Sequence, residues 1–206
     1  MQIKKIVNGS FQENAFIVKE IETSSAVLID PGSEPERLLD ELSELKCNLK
    51  AILCTHGHID HIGAVSEIKQ ATSAPFYIHQ GDEYLVKSSA EYSQYFGIAP
   101  SKVPEVDNFL SSDDILTFGK IQIEVIETPG HTPGGVCFMI GNHLFTGDTL
   151  FHESIGRTDL PGGNYEQIIK SIKNKLMNLD NDLIVYPGHG QDSTIVNERK
   201  FNPFLT

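Results

Sequence analysis

The chain has 206 residues, the length of one domain, and carries 16 Lys+Arg against 28 Asp+Glu for a formal net charge of −12. That balance lacks the basic footprint with which a nucleic-acid binder displaces counterions from phosphates. The longest apolar runs, such as Val136–Ile140, fall far short of the roughly 20 residues that cross a bilayer. The opening MQIKKIVNGS has no apolar signal region, and Cys47, Cys54 and Cys137 are odd in number and far apart, so no disulfide framework is expected and a reducing cytoplasm is the default.

In chain order, Ile3–Val7, Ala15–Val18 and Ala26–Ile29 read as strands, rich in β-branched and apolar residues, with the turn pair Asn8-Gly9 between the first two. Pro31-Gly32 stops the third. Glu34 to Lys46 reads as a helix, with Leu38, Leu39, Leu42 and Leu45 at helical spacing and acids in its first turn. Ala51–Cys54 is a short buried strand, His61 to Thr72 a second helix, and Phe76–Ile78 a further strand. Gln80 to Asp114, with Tyr84, Tyr92, Tyr95 and two prolines, reads as an elaborated wall or lid rather than a sheet. Ile121–Ile126 then alternates as IQIEVI, and Val136–Ile140 with His143–Phe145 predicts a hairpin turned at Gly141-Asn142. Tyr165 to Leu179 is a third helix, and Leu183–Tyr186 a final strand ended by Pro187-Gly188. Strands arrive in two batches, each followed by helices. That order predicts a single α/β domain over residues 1–206, two packed sheets with helices outside.

The chemistry concentrates in histidine. His56-Gly57-His58-Ile59-Asp60-His61 places three imidazoles and a carboxylate in six residues, directly after a predicted strand. So many polar groups cannot all find apolar packing partners, whereas imidazole and carboxylate are natural ligands of zinc-like cations. His131, Asp148 and His189 each follow another predicted strand, in the glycine-containing loops Thr128–Gly134, Thr146–Thr149 and Tyr186–Gly190. Seven groups exceed the four of one tetrahedral site and match two metals sharing one carboxylate. Two divalent cations, offset by Asp60, Asp148 and a bridging hydroxide, leave a charge of about +1 that favours developing oxyanions.

The string, with His131, Asp148 and His189 in this order, resembles the metallo-β-lactamase superfamily over nearly the whole chain. The resemblance implies an αββα sandwich of two packed mixed sheets, with the metal site at one edge. It also implies that His56, His58 and His131 hold a first metal, that Asp60, His61 and His189 hold a second, and that Asp148 bridges them. Asp60 and Asp148 are the candidate catalytic residues. Gly147–Phe151, Ser154–Gly163, Tyr186–Gly190 and the closing Asn202–Leu205 are similar to the glyoxalase II (hydroxyacylglutathione hydrolase) group. Asp148 argues against true β-lactamase activity. Only 17 residues follow His189, so the helical C-terminal domain with which glyoxalase II grips glutathione is expected to be absent.

The resemblance implies a binuclear hydrolase of thioesters, S-lactoylglutathione first, acting by attack of a metal-bound hydroxide. Zinc is the first expectation, with iron or manganese as alternatives, and the partner is a small molecule rather than nucleic acid or membrane. The rival readings are a persulfide dioxygenase with one iron on His56, His131 and Asp148, a lactonase or phosphodiesterase on the same metals, and a non-catalytic metal-binding module. Arg157 is either a substrate anchor or half of an ion pair with Asp159. Asp30 is either an acceptor that fixes a ligand histidine's tautomer or a turn residue. Cys54 reads as a small buried strand residue, His79, His143 and His152 as surface or hydrogen-bonded histidines, and Arg199 with Lys200 as a solvated patch.

Overall fold

A computed structural model describes residues 1–95, 97, 102–112 and 114–205. Positions 96, 98–101 and 113 of the expected wall lie outside the described residues. Two six-stranded mixed sheets face each other. The first runs in the order β1 (Gln2–Asn8), β2 (Glu13–Lys19), β3 (Ser25–Ile29), β4 (Asn48–Leu53), β5 (Phe76–His79) and β6 (Asn108–Leu110). The second contains β7 (Ile115–Phe118), β8 (Ile121–Glu127), β9 (Val136–Ile140), β10 (His143–Gly147), β13 (Ile184–Pro187) and β14 (Ser193–Thr194), in the order β14-β13-β10-β9-β8-β7. A two-stranded ribbon, β11 (Leu150–Phe151) with β12 (Ser154–Ile155), stands apart.

Alternation along the strands builds the layers. Phe16, Val18, Val27, Ile29 and Leu53 point from the first sheet toward Ile123, Val125, Phe138 and Phe145 of the second. Their chain neighbours Ala15, Ile17, Leu28 and Ile52 point the other way, onto α1 (Pro35–Glu44) and α3 (Val65–Thr72) through Leu38, Leu42, Val65 and Ile68. On the far face of the second sheet, Cys137, Leu144 and Val185 pack with Ile168 of α6 (Tyr165–Ser171) and Ile195 of α7 (Ile195–Phe201). The result is the expected αββα sandwich. No described helix is long and apolar enough to cross a membrane.

Strand direction positions the site. β3, β4 and β5 are mutually parallel, so their carboxyl ends lie at one edge. In the second sheet β9 runs antiparallel to both β8 and β10, and β13 runs parallel to β10, so β8, β10 and β13 also share a direction. Loops leaving these six strands carry Asp30, the His56–His61 string, Asp82, His131, Asp148 and His189. Open parallel sheets gather ligand-binding loops at such carboxyl ends.

Several elements differ from the sequence reading. The helix expected over His61 to Thr72 is two, α2 (Ile59–Ile62) and α3, because the Pro31-Gly32 loop presses on the junction. There Ala64 N donates to the Pro31 carbonyl at 3.0 Å, and Gly63 packs on the Gly32 carbonyl. Glu34 takes a left-handed φ of 52°, so α1 starts at Pro35, whose fixed φ suits a first helical position. The third helix stops short of Leu179, passing after Ser171 into a π-helical turn over Ile172–Leu176. The expected wall contains α4 (Glu83–Lys87) and α5 (Ser89–Tyr95) but also β6, which completes a sheet edge. Arg199 is no free patch residue: its guanidinium donates to the carbonyls of Met177 and Leu179 and to Asn181 Oδ1, closing the end of the π-helical turn.

Candidate metal centre

All seven residues expected at the centre converge. His56, His58 and His131 form one trio and Asp60, His61 and His189 another, with ligand atoms in each within 4.8 Å of one another; His56, His61 and Asp148 meet the same criterion. Asp148 faces both trios with different oxygens. Its Oδ2 lies 3.5 Å from His131 Nε2, and its Oδ1 lies 3.4 Å from His61 Nε2 and 3.7 Å from His189 Nε2. A Cβ at position 188 would stand 2.5 Å from Asp148 Oδ1 and 2.6 Å from His61 Cε1, so only glycine lets the His189 loop close.

Hydrogen bonds at the far nitrogens fix which imidazole edge faces inward. A carbonyl oxygen only accepts, so His131 Nδ1 donates to the Arg157 carbonyl (2.7 Å) and His189 Nδ1 to the Phe11 carbonyl (3.2 Å). In the neutral imidazole this leaves the lone pair on Nε2, facing the centre. Thr55 Oγ1 donates to Asp30 Oδ2 (2.7 Å) and so accepts from His56 Nδ1 at 3.1 Å. Asp30 Oδ2 also lies 3.1 Å from His61 Nδ1, and Asp30 Oδ1 accepts from Thr55 N at 2.7 Å. Asp30 is therefore an orienting acceptor as well as a turn residue, at a left-handed φ of 49°. His56 Nε2, His61 Nε2 and Asp148 Oδ1 are buried with no hydrogen-bond partner among the described residues. Three orphaned atoms at one point, all electron-pair donors once the imidazoles are neutral, fit a cation.

The two trios differ electrostatically. Burial and the surrounding imidazoles push His56 well down and hold His58 at about 4, so both are neutral lone-pair donors at neutral pH. Burial opposes a proton on His61 too, yet Asp148, Asp30 and Asp60 outweigh it and raise His61 well above its usual value. Burial likewise opposes protonation of His189, and the hydrogen bond to Asp60 with the charge of Asp148 raises it. Burial pushes Asp148 and Asp60 up, but His61 and the neighbouring imidazoles hold both carboxyls below their ordinary values.

Three contributors were not legible as site residues. Asp82, fully buried beyond β5, accepts from Gly57 N (2.9 Å), Thr132 Oγ1 (2.7 Å) and Gly134 N (2.6 Å). It thereby ties the loop of His56 and His58 to the loop of His131. A Cβ at Gly134 would lie 2.7 Å from its Oδ1. Thr55 relays Asp30 to His56. Glu13 of β2 is buried, with neither carboxylate oxygen hydrogen-bonded among the described residues, and burial raises it well above its usual value. Asp82 has one sequence signal: like every proposed ligand, it follows a strand whose carboxyl end reaches this edge.

A cleft of about 450 Å³ opens over the centre, lined by His58, Asp60, His131, Asp148 and His189 and by apolar side chains together with Tyr92. Arg157 also lines it, but its guanidinium forms a two-pronged pair with Asp159 at 2.7 and 2.8 Å. Its bond to His131 is made by its backbone. His152 is absent from this lining. His79 pairs with Glu127 and His143 with the Tyr186 hydroxyl, each at 3.2 Å. Cys54 is buried and donates weakly to the His61 carbonyl, and burial raises its thiol well above the usual value, as expected of a structural residue.

The family model for the metallo-β-lactamase superfamily matches residues 8–189. A hydroxyacylglutathione hydrolase GloC of Haemophilus influenzae is 40% identical over the whole chain and 98% of its own length. Among solved structures, BLEG-1 B3 metallo-β-lactamase aligns over all of both chains, with a TM-score of 0.93 and 37% identity. TTHA1623 in a di-iron-bound form aligns over 98% of this chain and 100% of its own, with a TM-score of 0.88 and 37% identity.

Two outcomes follow from this geometry. Protons on the raised His61 and His189 must be displaced by a cation, whereas His56 and His58 are already deprotonated. As pH falls from 7.5 to 5.5 the second trio's ion should weaken more steeply than the first trio's, because the raised imidazoles rebind protons in competition with it. Metal content after dialysis against a chelator tests this, and parallel loss of both ions would contradict it. Asp82→Ala strands two backbone donors and should cost about 2–4 kcal/mol in denaturant unfolding. It should also weaken the first trio's ion more than the second's, with Asp82→Asn intermediate; equal weakening of both ions would contradict the role of Asp82.

Proposed function

The chain belongs to the metallo-β-lactamase superfamily, and from that premise we propose that it is a binuclear metal-dependent hydrolase of thioesters, S-acylglutathiones such as S-lactoylglutathione among them. The observation that carries the reading is Asp148, set between the trios with one oxygen toward each. His56, His58 and His131 would hold one ion and Asp60, His61 and His189 the other, with Asp148 shared. Zinc suits imidazole and carboxylate, as do iron and manganese; the likeness to a di-iron protein makes iron the first rival.

When bound, divalent cations supply Lewis acidity, lowering the pKa of water from about 15.7 toward 7 and polarising a carbonyl. The chain's own groups orient and exclude. In hydrolysis the water gives one proton to solvent as its oxygen bonds to the acyl carbon. The C–S bond breaks with its electron pair leaving on sulfur, and the new carboxylic acid releases the second proton to solvent or to the thiolate. A thiol of pKa about 8.5 leaves as thiolate without a dedicated acid. That suits a cleft whose described lining offers no carboxyl or imidazole beyond the proposed ligands. Asp60 and Asp148, both held ionised, would balance the charge of the cations, Asp60 with one oxygen left over to accept a hydrogen bond from the attacking water. Asp30, through Thr55 and His61, keeps two imidazoles aimed at the centre.

The likeness to BLEG-1 brings a β-lactam into the same test, against the argument from Asp148. Metal-loaded protein should show its highest kcat/KM on a thioester when compared across S-lactoylglutathione, a lactone, a phosphodiester and a β-lactam. Oxygen uptake with glutathione persulfide, or faster turnover of another class, would overturn the reading. Asp148→Ala should be the most damaging single change, and Asp30→Ala should cost about 10–100-fold, as for other residues that orient a ligand. Near-normal turnover and full metal content in Asp148→Ala would refute the shared carboxylate.

A further inference from the structure

Resting on the hydrolase reading, we infer that the cleft selects thioesters by an uncharged apolar group rather than by the charges of a peptidic thiol. Its walls come from four separate segments: Phe11 from the β1–β2 turn, Ile59 from α2, Phe151 and Ile155 from the β11–β12 ribbon, and Leu160 and Pro161 from the loop that follows. Phe11, Phe151, Leu160 and Pro161 stand outside the core, whereas Ile59 is buried and Ile155 packs against the core on its inner side. Phe11 is 42% exposed, and Phe151, Ile155 and Leu160 are half-buried, so apolar surface from distant parts of the chain is gathered at one opening and left facing water. Such gathered apolar surface marks a binding site rather than ordinary exposure. The wall reaches the proposed ligands themselves, because the Phe151 ring lies edge-on to the His189 ring at a centroid distance of 6.3 Å.

Charge points the same way. A glutathione moiety carries two carboxylates, for which side-chain cations are the strongest partners. Arg157 is the one cation among the described lining residues, and Asp159 already occupies its guanidinium with both carboxylate oxygens. Binding energy from a remote part of a substrate is realised only where the protein has groups to receive it. Here those groups are methyls, methylenes and aromatic rings.

The test has two measurements on metal-loaded protein. In the first, kcat/KM is followed along acetyl, butanoyl and hexanoyl thioesters of N-acetylcysteamine, and along acetyl thioesters of thiols of increasing chain length. Full burial of a methylene corresponds to about fourfold (0.8 kcal/mol), and an open cleft should give twofold or more per methylene in at least one series. The second is calorimetric binding of acetate and hexanoate, whose carboxylates seek the cations while the tail reports the cleft. Hexanoate should bind tenfold tighter or more, and Phe151→Ala or Leu160→Ala should reduce that ratio at least threefold. Thioester cleavage that stays flat along both series, or equal affinity for the two acids, would overturn the inference and leave the hydrolase reading standing. Tight hexanoate binding with no thioester cleaved would do the reverse.

Discussion

A carboxylate held among imidazoles, with one oxygen cut off from water and unpartnered, is expensive unless a positive charge completes it. Asp148 is in that position, and the edge of the sandwich is arranged around it. Glycine at 188 gives the His189 loop room to close on it, His61 and His131 approach from opposite sides, and buried groups behind the imidazoles hold their rings in place. Two cations sharing Asp148 would satisfy the orphaned nitrogens and the orphaned oxygen together.

Two buried aspartates divide the supporting work. Asp30 at the end of β3 reaches His56 through Thr55 and His61 directly, so one side chain spans both trios. Asp82 beyond β5 makes no hydrogen bond to an imidazole among the described residues and instead fixes the backbone of the loops that carry the first trio. Both sit where parallel strands of the first sheet end, as the proposed ligands do. The shared strand direction thus supplies ligands and the groups that orient them by one device. The same edge carries the apolar wall of the cleft, which places binding surface and bond chemistry side by side.

The layers and the seven convergent side chains were legible because their signals are local. Period-two runs such as IQIEVI specify a strand, and each polar group directly follows such a run. What the sequence concealed depends on distant contacts. The break between α2 and α3 comes from the Pro31-Gly32 loop; Gly63 at the junction is its one local mark, and the contact that makes it a break is 31 positions away. β6, β11, β12 and β14 are two or three residues long and exist through their neighbours. Asp82 acquires its role from backbone N–H groups 25 and 52 positions away. The pairing of Arg157 with Asp159, by contrast, is local at two residues' separation and was one of the two roles the sequence offered for it.

The most direct test of the account is anomalous diffraction from crystals of the metal-loaded protein, recorded at the absorption edge of the bound metal. Two peaks about 3.5–4 Å apart are expected, one among His56, His58 and His131 and the other among Asp60, His61 and His189, with Asp148 between them. Glu13, Asp30 and His61 form a further buried group whose ligand atoms lie within 4.8 Å of one another. A single peak, or a peak in that group in place of the second, would contradict the shared-carboxylate centre.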